Sequence, residues 1–277
     1  MKREYSGKIS LTKNSRGIYC IDTTIGCKSG MENNAGGCYG DCYAAKSAKL
    51  YGYDFGKTVL RCFENRRHQT KIINQINRII GMDFIRIGCS GDPSEAWEHT
   101  IEVLKVLSKA DKEIVIITKH WTNLTDKQLE FLRTINVCIN TSVSALDNPN
   151  LLENSLIQYN RIKPFCRSVL RIVSADFNEE NEQGIVFSEI QRRLFRNEDT
   201  LDTVLRVGRN NPLVTSGTIN IKRVNFLGKK QLASKFNKKT FLGKCAGCRE
   251  MCGVTIKNES YTYPNKRFLP KQLRFNF

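Results

Sequence analysis

Histidine is nearly absent from this chain, with three in 277 residues, and proline is scarce at six. A metal centre here must rest mainly on donors other than imidazole. With 40% hydrophobic residues, the proline-poor chain is neither collagen-like nor disordered. No apolar run approaches the roughly 18 residues of a membrane span. No apolar core follows Met1-Lys2-Arg3-Glu4-Tyr5, as one would in a signal peptide. The expectation is a cytoplasmic protein with no membrane partner. Acidic residues are also short, 27 against 44 Lys and Arg, for a formal charge of +17. That surplus attracts anions and suggests nucleic acid, a nucleotide or a phosphorylated metabolite as partner.

Cysteine is what the chain holds in quantity, with eleven. An odd count in a long chain without an export signal argues for metal, cluster or catalytic thiolates over a disulfide framework. Cys27, Cys38 and Cys42 share a glycine-rich stretch near the N-terminus. Cys245, Cys248 and Cys252 lie near the C-terminus. Cys20, Cys62, Cys138 and Cys166 sit singly, mostly in apolar runs, and read as core filling. Cys89 stands apart, beside a polar turn, as a candidate hydrogen-atom donor or extra ligand.

Short apolar runs predict strands at Gly17–Asp22, Asp83–Gly88, Glu113–Thr118, Val137–Ser142, Ser168–Ser174 and Thr203–Val207. Runs such as Ile114-Val115-Ile116-Ile117 suit a parallel sheet covered on both faces. Helical spacing is read over Thr58–Ile80, Glu98–Ala110, from Thr125, over Asn150–Ile162 and over Glu180–Phe195. The alternation predicts a parallel α/β fold, which periodicity leaves open between barrel and open sheet. From Lys229 the chain turns basic, and 229–277 is read as a C-terminal extension to a domain over 1–228.

The first cysteine group reads Ile25-Gly26-Cys27, then Gly36-Gly37-Cys38-Tyr39-Gly40-Asp41-Cys42-Tyr43-Ala44-Ala45. Glycines let backbone wrap a bulky inorganic body, and thiolates select zinc, Cu(I) or iron–sulfur clusters. Three thiols leave one metal position open. In a [4Fe–4S] cluster that is an iron able to bind a small molecule, and in a zinc site a catalytic position. The plainer readings are free thiols, or a structural zinc with a distant fourth ligand.

The loop resembles the cluster loop of radical S-adenosylmethionine enzymes, and Cys42-Tyr43-Ala44 is similar to the spore photoproduct lyase branch. The usual spacing there is C-x3-C-x2-C, whereas this chain has Cys27-x10-Cys38-x3-Cys42, with Ala45 where a third cysteine would fall. Ile117-Thr118-Lys119-His120 and Ser144-Ala145-Leu146-Asp147 resemble strand ends of the same branch. The resemblance implies a partial (β/α)6 TIM-like barrel, here with a short cysteine-containing C-terminal extension. It implies a [4Fe–4S] cluster on Cys27, Cys38 and Cys42 with S-adenosylmethionine on its open iron, and an electron donor of flavodoxin or ferredoxin type. It points to Tyr43, Ser90, Gly91, Asp92, Thr141, Ser142, Ser144 and Arg171 as cofactor contacts. Cys89, Lys119 and His120 are the candidate catalytic residues.

Several of these have ordinary alternatives: a Gly-Asp-Pro turn at Asp92, a solvated loop at Lys119-His120, a structural ion pair at Arg171. The C-x2-C-x3-C group at Cys245, Cys248 and Cys252 suits zinc or a second iron–sulfur cluster. Two rival functions remain. One is a base-exchange barrel similar to tRNA-guanine transglycosylases, with Asp92 as nucleophile and structural zinc. The other is a non-enzymatic, zinc-stabilised nucleic-acid-binding protein, with the Lys229–Lys244 stretch and its Phe236 and Phe241 tracking phosphates.

Overall fold

The computed structural model describes residues 4, 6–34 and 36–254. Its strands are β1 (Thr12–Lys13), β2 (Tyr19–Cys20), β3 (Thr24–Ile25), β4 (Val59–Leu60), β5 (Phe84–Ile87), β6 (Glu113–Thr118), β7 (Val137–Val143), β8 (Arg167–Ser174), β9 (Thr200–Val207), β10 (Lys222–Phe226) and β11 (Lys229–Ser234). Its helices are α1 (Lys28–Asn33), α2 (Tyr43–Leu50), α3 (Arg66–Asn77), α4 (Trp97–Leu107), α5 (Asp126–Arg133), α6 (Pro149–Ile162), α7 (Glu182–Leu194) and α8 (Pro212–Thr215).

Nine strands form one sheet in the order β1-β2-β5-β6-β7-β8-β9-β11-β10. The six from β2 to β9 run parallel and follow chain order, with antiparallel strands added at both edges. Among the described residues no helix is long and apolar enough to cross a membrane.

Register assigns the two faces. Ile87, Ile116 and Ile139 align across β5, β6 and β7, and with Ile85, Ile114, Leu170 and Ile172 they form the buried helix-covered side. A second row, Cys20, Arg86, Val115, Cys138 and Arg167, crosses five strands on the opposite face. That face is covered by the C-terminal segment. Asn140 Nδ2 donates to the Cys252 carbonyl at 3.0 Å, and Arg167 donates to that of Val254. The sheet curls around this segment. Arg16, between β1 and β2, donates Nε to the Gly243 carbonyl at 3.0 Å and stacks over Phe226 of β10.

Two expectations change, the long helix and the place of Cys62, and the expected domain boundary meets a strand pairing. The pattern over Thr58–Ile80 is not one helix. Val59–Leu60 pairs with Thr24–Ile25, closing the cysteine loop at its base. The helix starts later, where the Asn65 side chain accepts from the His68 amide. Cys62 is exposed, not core. The expected boundary at Lys229 falls just after a two-residue turn, Leu227-Gly228, between β10 and β11. β11 in turn pairs with β9, from Leu232↔Val207 to Ser234↔Leu205. The expected aromatic, basic stretch over Ser260–Phe277 lies outside the described residues.

Candidate active site

The loop after β3 carries Cys27, Cys38 and Cys42 to the C-terminal ends of the parallel strands. Cys27 and Cys42 pack in one small apolar group with Ala45, Phe55 and Trp121. Cys38 lies close enough to both other thiols for their charges to interact. Two of the three leave no room for a side chain on a neighbouring glycine. A Cβ on Gly30 would stand 2.8 Å from Cys27 Sγ, and one on Gly37 would stand 2.6 Å from Cys42 Cβ.

Tyr39, next to Cys38, takes φ 59° and is fastened to the sheet. Lys119 Nζ, at the end of β6, donates to the Tyr39 hydroxyl at 2.7 Å and to Asp147 Oδ1 at 2.6 Å. The Tyr39 hydroxyl donates to Asp147 at 3.0 Å. On the other side Asp41 Oδ2 accepts from the Gly208 amide at 2.9 Å and from Asn211 Nδ2 at 2.6 Å. The cysteine loop is thus held between the ends of β6, β7 and β9. Sequence reasoning passed over Tyr39, Asp41 and Asn211 because their roles come from contacts more than 100 residues apart in sequence.

Beside the loop a cavity of about 700 Å³ opens, lined by Cys38, Lys119, Trp121, Asp147, Phe187 and Asn211 among others. Trp121 Nε1 is buried with no hydrogen-bond partner among the described residues. Burial raises the Cys27 thiol, and the charges of Asp92 and Glu95 raise it further. Burial lifts Cys38 to about 11 against the opposing charge of Lys119. Both are therefore protonated near neutrality, and a metal bound there must displace protons.

The turn after β5 supports this loop. The Ser90 carbonyl accepts from the Gly26 amide at 3.0 Å, and Gly91 bridges to Gly26. Asp92 receives four donors: the Ser94 amide and hydroxyl, the Thr118 hydroxyl and the Lys119 amide, at 2.7–3.0 Å. Its carboxylate is saturated, which suits a turn-holding residue and not the nucleophile of a base-exchange reaction. Tyr43 donates its hydroxyl to the Cys89 carbonyl. The Cys89 amide donates to Asp22 at 2.7 Å, and its sulfur lies 2.6 Å from Cys20 Sγ.

Other expected contacts lie elsewhere. His120 is fully buried, with Nε2 3.0 Å from Thr141 Oγ1, so both residues belong to the helix-covered side. Ser144 donates to the Val173 carbonyl at 2.8 Å, and the Ser142 carbonyl faces Lys119 Nζ at 3.4 Å. Arg171, in register with Ser142, lies on the face of β8 that carries Arg167 and lines a second cavity with Arg86, Cys245, Cys248 and Cys252.

Neither cysteine group is gathered as the donor set of a single ion. A single ion needs its donors converging on one point, and among the described residues no three Cys, His, Asp or Glu side chains do so. An iron–sulfur cluster places each thiolate on a different iron and has no such requirement. The glycines pressed against Cys27 and Cys42, together with the Trp121 donor that has no partner among the described residues, fit a cluster with a polar ligand beside it.

No family model and no curated protein matches this chain. A solved structure of a spore photoproduct lyase variant, with bound AdoMet and dinucleoside spore photoproduct, is similar at TM-score 0.53 and 12% identity. The match covers 84% of this chain and 73% of that one. At that identity the likeness is one of fold: a mixed α/β architecture with a largely parallel sheet.

Proposed function

We propose that the chain is a radical S-adenosylmethionine enzyme on a partial (β/α)6 barrel, with a [4Fe–4S] cluster on Cys27, Cys38 and Cys42. The observation that carries this reading is the glycine-rich loop in which Cys27 and Cys42 pack in one group while Cys38 lines a 700 Å³ cavity. The fold likeness to an AdoMet-bound lyase supports it. Cluster and S-adenosylmethionine together would supply a 5′-deoxyadenosyl radical for hydrogen abstraction.

The chain's own part is positioning and exclusion of water. Lys119 and Asp147, both buried, fix Tyr39 and with it Cys38. Trp121 offers its indole N–H to a ligand, and Phe187 and Leu146 wall the cavity. The mouth itself carries little free charge, since Lys119 is paired with Asp147 and Asp41 with Lys46. Recognition of an anionic substrate, a nucleotide or nucleic acid, would therefore fall to the basic chain beyond β9. Arg209 lies on the rim between the lining residues Gly208 and Asn210.

The test is anaerobic reconstitution with iron and sulfide. A brown protein is expected, whose reduced spin-resonance signal shifts when S-adenosylmethionine is added. Loss of that signal is expected in Cys27→Ala, Cys38→Ala and Cys42→Ala alike. A colourless protein binding zinc alone, or a signal indifferent to S-adenosylmethionine, would reject the reading.

A further inference from the structure

The inner face of the sheet holds a second cysteine group in unusual company. Residues Cys245–Gly247 and Met251–Gly253 form two short 3-10 turns pressed into the concave face. Their fit is close: a Cβ on Gly253 would stand 2.7 Å from Val169 Cγ2. Cys245 and Cys252 are buried in the main core, and Cys248 is partly exposed. All three line one cavity with Arg16, Arg86 and Arg171.

Cations outnumber carboxylates there, with Arg16, Arg86, Arg171 and Arg206 against Asp202 and Glu250. Arg86 is 7% exposed, and Nη2 donates to Cys252 Sγ at 2.5 Å. Its Nε is buried with no partner among the described residues. Arg171 makes no hydrogen bond or ion pair among the described residues, and Glu250 is the carboxylate it senses. The other nearby carboxylate, Asp202, is engaged by the Ser174 and Thr240 hydroxyls. A buried guanidinium left without an anion costs several kcal/mol, so the cluster of arginines calls for an anionic ligand among the thiols.

We propose that this cavity holds a second iron–sulfur cluster, ligated by Cys245, Cys248 and Cys252 and charge-balanced by Arg86 and Arg171. Three thiolates on an iron–sulfur core make a compact anion, which answers both the open guanidiniums and the spacing of the cysteines. A zinc ion with three thiolates would carry a similar net charge, but its donors must meet at one point, and among the described residues these thiols do not. The proposal is independent of the assignment at the cavity mouth, since the two cysteine groups line different cavities.

Iron and acid-labile sulfide, counted after anaerobic reconstitution, separate the two sites. The full chain should hold about eight of each, as two four-iron clusters. The triple variants Cys27→Ala/Cys38→Ala/Cys42→Ala and Cys245→Ala/Cys248→Ala/Cys252→Ala should each hold about four. Four irons in the full chain, all lost with the N-terminal cysteines, would overturn the second cluster and leave the mouth assignment standing. Four irons lost only with the C-terminal cysteines would do the reverse. Arg86→Met keeps every ligand and guards against a triple variant that fails to fold. It should retain both clusters and move one midpoint potential to a more negative value, because a positive charge beside that cluster is gone. Unchanged potentials would overturn the role given to Arg86.

Discussion

His120 is a buried imidazole with φ 55° and no exposed surface, its ring 6.0 Å from that of Trp97. Burial lowers its pKa from 6.5 to about 3. The folded chain keeps it neutral where the unfolded chain protonates it. Its stabilising contribution is therefore complete above pH 6.5 and lost as pH falls from 6.5 towards 3. The slope is about 1.4 kcal/mol per pH unit in that window. His120→Asn removes the titration and suits the left-handed backbone. Urea midpoints at pH 7 and pH 5 should show the wild type losing about 2 kcal/mol more than the variant. A constant difference between the two proteins would mean that His120 is charged in the fold. The sequence placed this residue at a strand end next to Lys119, and that was right. It could not say that Lys119 turns towards the mouth while His120 turns towards the helices, since neighbouring side chains in an irregular loop follow no fixed alternation.

The turn after β5 shows how an element supports the site. Gly88 takes φ 87°, and a Cβ there would stand 2.2 Å from the Ile117 carbonyl oxygen of β6. The residues that follow carry the Cys89 bond to Asp22 and the Ser90 bond to Gly26. Gly81 has a similar φ of 78° but nothing within 4 Å of its Cβ position. Gly81→Ala should cost about 1–2 kcal/mol, the left-handed penalty alone. Gly88→Ala adds a backbone clash and should cost at least about 3 kcal/mol. Chemical denaturation of both variants measures the difference, and equal costs would show that the strand ends can part. At this scale much was readable. Glu113–Thr118 forms β6 as expected from its β-branched run, and Thr125 opens α5 with a capping box to Gln128. The β10–β11 hairpin was missed because Lys222, Arg223, Lys229 and Lys230 are poor strand formers. Charged residues suit an exposed edge, where they discourage pairing with another chain.

The whole molecule concentrates its charge. Between Asp202 and Glu250 there is no acidic residue and there are eleven Lys and Arg, against a net charge of +17 for the chain. None of these eleven makes an ion pair among the described residues, whereas Lys46, Lys119 and Arg167 elsewhere are paired. Arg206 is stacked on Phe226, and Lys222, Arg223, Lys229, Lys230, Lys238 and Lys239 are exposed with Phe236 and Phe241 nearby. Unpaired cations beside exposed aromatic rings suit a polyanion with stacking bases. If a nucleic acid lies along this face, each phosphate contact releases counterions. Affinity for a single-stranded oligonucleotide must then fall with salt, with a log–log slope of about −0.7 per contact. Four to six contacts from this face give a slope between about −3 and −4. Lys229→Ala together with Lys230→Ala should flatten it by about 1.4 without changing the iron content at either cysteine group. Fluorescence anisotropy across a salt series measures the slope. A slope near zero, or one that the double variant leaves unchanged, would move the charge from recognition to mere solubility and leave a small uncharged substrate as the better fit to the mouth.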